Sequence, residues 1–170
     1  CDGKGKIRRQ KTIEISVPAG IDDDQILNVG GKGNAGSNGG PNGDLHVYIT
    51  VRPHAIFTRR GNDVWCDMPI TFTQAALGAE VTVPTLDGKV SYTVHEGTQP
   101  GDVFKLKGKG IQSINGRGRG DQYVRVTVEV PKNLSKRQKE LLQEFEQNAD
   151  EKNYQKRKSF FGKIKDLFED

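Results

Sequence analysis

The sequence predicts a mainly β protein of two tandem β-sandwich-like modules, the first one truncated, followed by a C-terminal helical tail. An internal repeat with a constant offset of 77 residues indicates that one supersecondary unit is used twice. Only 33% of the residues are hydrophobic, and 21 glycines and 7 prolines separate short apolar runs, as in β domains rich in turns. After Pro131 the apolar spacing changes to that of helices.

The repeat keeps its register through a glycine-rich loop. Val17 aligns with Val94 and Val51 with Val128, and both differences equal 77. The other matched positions of the first copy are Gly20, Ile26, Gly31-Lys32-Gly33, Gly43-Asp44, Val47 and Thr50. A unit of about 77 residues is near the lower size limit for a self-sufficient core, so the modules should lean on each other or on sequence beyond this chain.

The first module is assigned to residues 7–56. Alternating apolar residues predict strands over Thr12–Val17 and Leu45–Val51, and Ile26–Val29 forms a second short apolar run. The loop between Gly30 and Gly43 holds seven glycines, can bury little, and is expected at the surface.

The second module is assigned to residues 57–131, after a junction that breaks both periodicities between Arg52 and Asp63. Val64–Ile70 is predicted as a strand, in which Pro69 favours an edge or a strand end. Phe72–Leu77 is the short helical candidate of the β region. A hairpin turning at Asp87-Gly88 is predicted to pair Val81 and Val83 with Val90, Tyr92 and Val94.

The tail, residues 132–170, has two predicted helices. Ser135 followed by Gln138 forms a capping box at the start of the first. Its apolar stripe consists of Leu141, Leu142, Phe145 and Ala149. The second helix has an amphipathic spacing of Phe160, Phe161, Ile164, Leu167 and Phe168.

Composition excludes several classes of protein. The net charge of +4 supports only weak attraction to polyanions, and no run of about 18 apolar residues predicts a membrane span. With no signal peptide at its start and two cysteines too few for a disulfide framework, the chain is expected to be soluble and cytoplasmic. Asp166 and the two acidic residues at the end of the chain weaken attraction of the last helix to anionic lipid, so no membrane partner is expected.

Two motifs suggest chemistry that their context does not support. Gly31–Gly36 matches the G-x-G-x-x-G phosphate cradle, but the residues up to Gly43 cannot form the helix it needs, and the aligned Gly108–Ser113 lacks the third glycine. A surface loop is therefore favoured over a nucleotide site. Cys66 is interpreted as a buried small hydrophobe, and the three histidines are scattered, so no enzyme is predicted.

Basic clusters leave one alternative function open. Arg117–Arg119 and Lys156–Lys158 could contact phosphates, which would suit a nucleic-acid-binding β protein using basic glycine-rich loops. Aromatic residues are not interleaved with these clusters, so solvated surface is the favoured interpretation and a nucleic-acid partner is not expected.

Several motifs, in fixed order over about residues 1–148, resemble the carboxy-terminal region of the DnaJ family of heat-shock co-chaperones. They are Cys1-Asp2-Gly3-Lys4-Gly5, Val17-Pro18-Ala19-Gly20, Gly43-Asp44-Leu45, Arg52-Pro53-His54, Phe57 with Arg59-Arg60-Gly61-Asn62-Asp63, Thr73-Gln74-Ala75-Ala76-Leu77-Gly78, Gly108-Lys109-Gly110 and Gly120-Asp121. The first resembles the last half of the family's fourth C-x-x-C-x-G-x-G zinc motif, which makes residues 1–6 the remnant of a zinc region.

The resemblance implies a non-enzymatic region that binds unfolded or extended apolar polypeptides and delivers them to a DnaK-type ATPase chaperone. It also implies that the tail forms a homodimer, through Leu141, Leu142 and Phe145. The stress-response and heat-shock role, the zinc and the missing J domain belong to the whole family architecture.

The resemblance also suggests site residues. Phe57 occupies the position of the family's apolar pocket residue, and Ile13 with Ile15 on the predicted strand after the zinc region are weaker candidates; ordinary core residues are the alternative interpretation. Cys1 would be a zinc ligand only in the full-length protein. Since structural zinc needs four ligands, we expect no zinc in this chain alone.

Overall fold

The computed structural model describes residues 9–168, which form two compact units, one ending at Glu129 and the other beginning at Val130. The protein is mainly β, as predicted. The strands of the first unit are β1 (Ile26–Val29), β2 (Leu45–Tyr48), β3 (Thr58–Arg60), β4 (Asp63–Thr71), β5 (Ala79–Thr85), β6 (Gly88–Val94), β7 (Val103–Leu106) and β8 (Gln122–Glu129). The helices are α1 (Phe72–Leu77) in the first unit, and α2 (Lys136–Asn148) and α3 (Gln155–Phe168) in the second.

The core of the second module lies on a four-stranded sheet with the order β3-β4-β8-β7. β4 and β8 run parallel, and the other neighbours are antiparallel. Every second residue of these two strands points inward, and all of these are buried except Val128, which is half-buried, so that the pleat gives one dry face. The buried apolar side chains are Val64, Cys66, Met68, Ile70, Ala75, Val83, Val94, Val124 and Val126. Fully burying a valine contributes about 1.5 to 3 kcal/mol to the free energy of unfolding.

Two local predictions for this module are confirmed. Pro69 lies in the part of β4 that pairs only with β8, because β3 reaches no further than Trp65. The predicted helix over Phe72–Leu77 forms as α1. It begins at a capping box, in which the Thr71 hydroxyl accepts from the Gln74 N–H. The Gln74 side chain accepts from the Thr71 N–H in return.

The predicted β5–β6 hairpin is also confirmed, with one correction at its turn. Thr85 pairs with Gly88, so the two central residues are Leu86 and Asp87, not Asp87 and Gly88. Neither central residue has positive φ; Gly88 closes the turn with φ +119°. The Thr85 hydroxyl donates to the Gly88 carbonyl at 3.1 Å, which helps to hold this end of the hairpin.

The first copy contributes a two-stranded sheet, β1 with β2, whose register reproduces that of β7 with β8 at the offset of 77. The predicted strand at Thr12–Val17 is wrong: this segment is irregular. Its counterpart in the second copy is β6, which pairs with β5. The counterpart of β5 would fall on residues 2–8, outside the described residues, so Thr12–Val17 has no partner strand among those that the structure describes.

In both copies a glycine N–H donates to an aspartate carboxylate, an arrangement here called the Gly-Asp lock. It explains why the Gly-Lys-Gly and Gly-Asp motifs are repeated. The Asp44 carboxylate accepts from the Gly31 N–H at 2.9 Å, and the Asp121 carboxylate accepts from the Gly108 N–H at 2.7 Å. A Cβ atom on Gly33 would lie 2.5 Å from the Asp44 carbonyl oxygen, closer than side chains approach backbone. The glycines of the motif therefore serve close packing of backbone.

The Gly-Asp lock makes the second module sensitive to acid. The backbone hydrogen bond from Gly108 holds the pKa of Asp121 below its usual value, and Lys105, 3.4 Å away, acts in the same direction. A carboxylate with a lowered folded-state pKa stabilises the fold above its unfolded pKa of about 3.9 and loses that effect as pH falls through the folded value. Asp44 has a lowered pKa for the same reason, through Gly31.

We expect Asp121→Asn to reduce the loss of stability on acidification. The amide keeps the shape and can still accept from Gly108, but it carries no titrating charge. Urea unfolding at a series of pH values between about 2 and 7 measures this, with Asp166→Asn on α3 as the control for removing a carboxylate elsewhere. An acid dependence as steep in Asp121→Asn as in the unmodified chain would contradict the role given to this carboxylate.

Arg59 joins the two copies within the first unit. Its guanidinium donates to the carbonyl oxygens of Gly20 and Ile21 at 2.8 and 2.7 Å, and its Nε atom lies 3.4 Å from the Asp22 carboxylate. A Cβ atom on Gly20 would be 2.0 Å from the Gln112 carbonyl oxygen, so the turn of the first copy is pressed against the second module. The expectation that the modules lean on each other is met at this point.

The second unit consists of the tail helices α2 and α3. The predicted capping box is present: the Ser135 hydroxyl accepts from the Gln138 N–H at 3.2 Å, and the Gln138 side chain accepts from the Ser135 N–H at 2.8 Å. Both predicted helices form, but neither contains a buried residue. Most side chains of the two apolar stripes are therefore exposed, and Ala149 and Ile164 are half-buried.

Candidate functional site

The structure places the three predicted pocket residues in different surroundings. Phe57 is half-buried, packs against the core of the second module, and lies with its ring 4.9 Å from that of His54. Ile13 and Ile15 are half-buried in the irregular segment of the first copy and do not belong to that core. Phe57 thus packs with the second module, whereas Ile13 and Ile15 lie outside that module's core cluster.

A cleft in the second module provides the geometry of a binding site. It lies between β6 and β7, has a volume of about 380 Å³, and is here called the β6–β7 cleft. Its lining residues are Tyr92, Val94, His95, Glu96, Gly97, Thr98, Asp102, Val103, Phe104 and Val126. The cleft has an apolar floor and a polar rim, so it suits a ligand that has both apolar and polar groups.

The floor of the cleft is aromatic. The rings of Tyr92 and Phe104 are stacked, with their centroids 3.6 Å apart and their planes within 5°. Both side chains are half-buried, and Val94 and Val126 are buried in the core they pack against. Val103 stays 46% exposed, so apolar surface remains accessible beside the floor.

The two strands that flank the cleft each have a free edge. Among the strands of residues 9–168, β6 is hydrogen-bonded only to β5, and β7 only to β8. An edge strand presents N–H and C=O groups that an extended polypeptide can pair with, while pockets take alternate side chains. The cleft therefore combines backbone pairing with an apolar surface.

The rim of the cleft is acidic. The Glu96 and Asp102 carboxylates lie on it, and no lysine or arginine is among the lining residues. Asp102 also has a structural part, since one of its carboxylate oxygens accepts from the Gln99 N–H at 2.8 Å. The charge of the rim favours a cationic group on the ligand.

The repeat relates this cleft to the residues that the sequence suggested. At an offset of 77, Ile15 is the counterpart of Tyr92 and Ile13 that of Val90. Sequence reasoning nominated the positions of the first copy and missed Tyr92 and Phe104 in the second. The constant offset was the signal that could have found Tyr92, because it maps a candidate of one copy onto the other.

Cys66 has no features of a nucleophile. It is 5% exposed, and burial raises the pKa of its thiol, although the amide of Gln122 acts in the opposite direction. The interpretation as a buried small hydrophobe is confirmed by this exposure. Cys1 lies outside the described residues.

The metal-ligand prediction concerns Cys1, which lies outside the described residues. Among residues 9–168, no group of three or more His, Cys, Asp and Glu side chains is placed to hold a metal ion. Cys66, the cysteine in that range, is a single thiol in an apolar core, and the four ligands of a structural zinc site are not assembled around it.

The basic loop of the second module is held by internal contacts. The Arg119 guanidinium makes a bidentate pair with Asp87 at 2.8 and 2.9 Å, and its Nε atom donates to the Gly110 carbonyl. Lys109 lies 4.0 Å from the same carboxylate. Arg119, one of the cations that could contact phosphates, is thus paired within the fold. In the described range, no helix has the length and apolar character that crossing a membrane requires.

Two family models match this chain. The DnaJ C terminal domain family matches residues 3–131, and the Chaperone protein DnaJ C-terminal region matches residues 137–170. The chain therefore belongs to the DnaJ C-terminal domain family.

Its relatives are known chaperone proteins. It is 60% identical to the Chaperone protein DnaJ of Ruminiclostridium cellulolyticum over 99% of this chain and 48% of that protein. It is 53% identical to that of Acetivibrio thermocellus, covering 98% of this chain and 43% of the relative. With that of Desulfitobacterium hafniense it shares 52% identity over 100% of this chain and 45% of the relative. The chain thus spans less than half the length of these relatives.

Proposed function

We propose that this chain is a non-enzymatic region of a DnaJ-type co-chaperone that binds unfolded or extended apolar polypeptides and passes them to a DnaK-type ATPase chaperone. The observation that carries the proposal is the β6–β7 cleft, in which an aromatic floor lies between two free strand edges. A polypeptide that pairs with an edge uses its backbone for affinity, so such a site accepts many sequences. This is the property that a holder of unfolded chains needs.

The proposal makes the second module a client-binding module. Phe57, Ile13 and Ile15 stay candidate site residues. For Ile13 and Ile15 the support is their correspondence to residues of β6 in the second copy; for Phe57 it is only the family resemblance.

We expect Val103→Ser to weaken binding of an extended apolar peptide several-fold, and Phe104→Ala about tenfold. Loss of one aromatic contact of about 1.4 kcal/mol corresponds to a factor of ten in the dissociation constant. Fluorescence anisotropy with a labelled nonapeptide of aromatic and aliphatic residues measures it. Val103 is exposed, so its substitution tests the cleft without disturbing the core.

Tyr48→Ala on β2 is the control, because that side chain is 75% exposed and is not among the residues that line the cleft. Binding unchanged in both cleft variants, with folding intact by circular dichroism, would remove the cleft from the proposal. Phe57→Ala tests the candidate that the sequence suggested. A loss of peptide affinity in a folded variant would support Phe57 as a pocket residue. A lowered free energy of unfolding with unchanged affinity would identify it as a core residue.

We also propose that the tail forms a homodimer through Leu141, Leu142 and Phe145. Their side chains are 48%, 38% and 48% exposed, on a helix that buries none of its residues within the described chain. Two joined clefts would raise the effective concentration of the second site for a long unfolded polypeptide.

A further inference from the structure

The two copies of the repeat carry the same turn in front of their hairpins. In Pro18–Ile21 and in His95–Thr98, the N–H of the last residue donates to the carbonyl of the first at 3.3 Å. The glycines at the third position, Gly20 and Gly97, have φ of +87° and +75°. The second turn lines the β6–β7 cleft.

Just after each turn, a backbone N–H donates to the side chain three residues further along the chain. The types of these two residues are exchanged between the copies. The Asp22 N–H donates to the Gln25 side chain at 3.0 Å, and the Gln99 N–H donates to the Asp102 side chain at 2.8 Å. Each copy therefore has one carboxylate and one carboxamide: the carboxylate is at the first residue of the pair in the first copy, Asp22, and at the second residue in the second copy, Asp102.

The first copy shows which chemical group this turn accepts. The carbonyl oxygens of Gly20 and Ile21 both receive hydrogen bonds from the Arg59 guanidinium, at 2.8 and 2.7 Å, and Asp22 supplies the counter-charge at 3.4 Å. The planar guanidinium matches two neighbouring carbonyls because its N–H groups are fixed in a fork.

In the second copy a neutral amide is in the corresponding place. The Gln99 side chain donates to the Gly97 carbonyl at 3.0 Å. Two carboxylates, Glu96 and Asp102, lie on the same rim of the cleft. The carbonyl pair of the first copy is thus repeated beside an acidic rim and a free strand edge.

We propose that the turn around Gly97 is an arginine subsite of the β6–β7 cleft. The guanidinium of a bound extended polypeptide displaces the Gln99 amide and donates to the carbonyl oxygens of Gly97 and Thr98. Glu96 and Asp102 compensate its charge, while an apolar neighbour in the polypeptide lies on the floor formed by Tyr92 and Phe104. This inference rests on the proposed function and gives its clients a chemical preference, for apolar segments next to arginine.

Three labelled nonapeptides test the subsite on the full chain, identical in their apolar residues and differing at one flanking position, which is Arg, Lys or Gln. We expect the Arg peptide to bind about fivefold tighter than the Gln peptide at a fixed ionic strength of about 0.15 M. The Lys peptide should fall between them, because an ammonium group cannot satisfy both carbonyls in one plane.

Two variants give opposite expected results. Glu96→Gln should reduce the advantage of the Arg peptide over the Gln peptide. Gln99→Asp should increase that advantage several-fold, because it frees the Gly97 carbonyl and reproduces the carboxylate that Asp22 supplies to Arg59. Glu14→Gln, which removes an exposed carboxylate from the first copy, is the matched control and should leave both affinities unchanged.

The outcomes separate this inference from the proposed function. Equal binding of the Arg and Gln peptides, or no gain for the Arg peptide in Gln99→Asp, overturns the arginine subsite and leaves peptide binding in place. Binding of none of the three peptides overturns both.

Discussion

Replacing Gly120 with alanine should lower the free energy of unfolding of the second module by about 3 kcal/mol, at the upper end of what overpacking costs. A Cβ atom there would lie 2.0 Å from the carbonyl oxygen of Asn62 and 2.4 Å from its carbonyl carbon. Both are backbone atoms next to β4, so they cannot turn aside as a side chain can. The loop before β4 or the start of β8 must move instead.

Gly118→Ala is the matched control in the same loop. Gly118 has φ +79° and would place its Cβ atom in open space, so alanine there meets only the left-handed backbone penalty of about 1 to 2 kcal/mol. Urea unfolding followed by tryptophan fluorescence compares the two, since Trp65 reports on β4. If Gly120→Ala were no less stable than Gly118→Ala, the close approach of the two backbones would be refuted.

The double substitution Leu141→Asp with Phe145→Asp should turn the proposed dimer into a monomer, raising the dissociation constant at least about 100-fold. Isolated helices of this length are marginal in water, and α2 has 13 residues with none buried. A partner that covers the stripe would supply the missing apolar burial, and two carboxylates there would have to be buried without partners.

Gln143→Asp with Gln147→Asp is the control pair. It adds the same charges at the same spacing of four residues but on the opposite side of α2, since residues 143 and 147 lie about 200° around the helix from 141 and 145. Sedimentation velocity over a concentration series distinguishes the two. A dimer that persists in the stripe variant, or that is absent from the unmodified chain, would refute the assignment.

Periodicity and capping predicted much of this fold. The capping box at Ser135 depends on residues three positions apart, and the β5–β6 pairing joins two neighbouring segments through a short turn, so local sequence suffices for both. The strand predicted at Thr12–Val17 was wrong for a different reason. Its alternation is that of a half-buried strand, but a strand also needs a neighbour to pair with, and a sequence pattern does not show whether one is present.

The cleft was harder to predict than the strands around it. Tyr92 and Phe104 lie on different strands and meet only because the hairpin folds over the sheet, so neither stands out in the sequence. Phe57 was selected by its position in a motif, and its packing against the second-module core depends on tertiary structure. The offset of 77 is the one sequence feature that links Ile15 to Tyr92.

The parallel pairing of β4 with β8 can form only after the long segment between the two strands has been synthesised. Asp67 and Arg125, paired across these strands, are 58 residues apart in the chain. During synthesis the inward face of β4 emerges early and stays without its parallel partner until β8 has been made. Contacts of such long separation also close slowly, because the intervening chain must lose its freedom first. A domain that we propose binds the unfolded chains of other proteins thus passes through an exposed stage of its own while it is made.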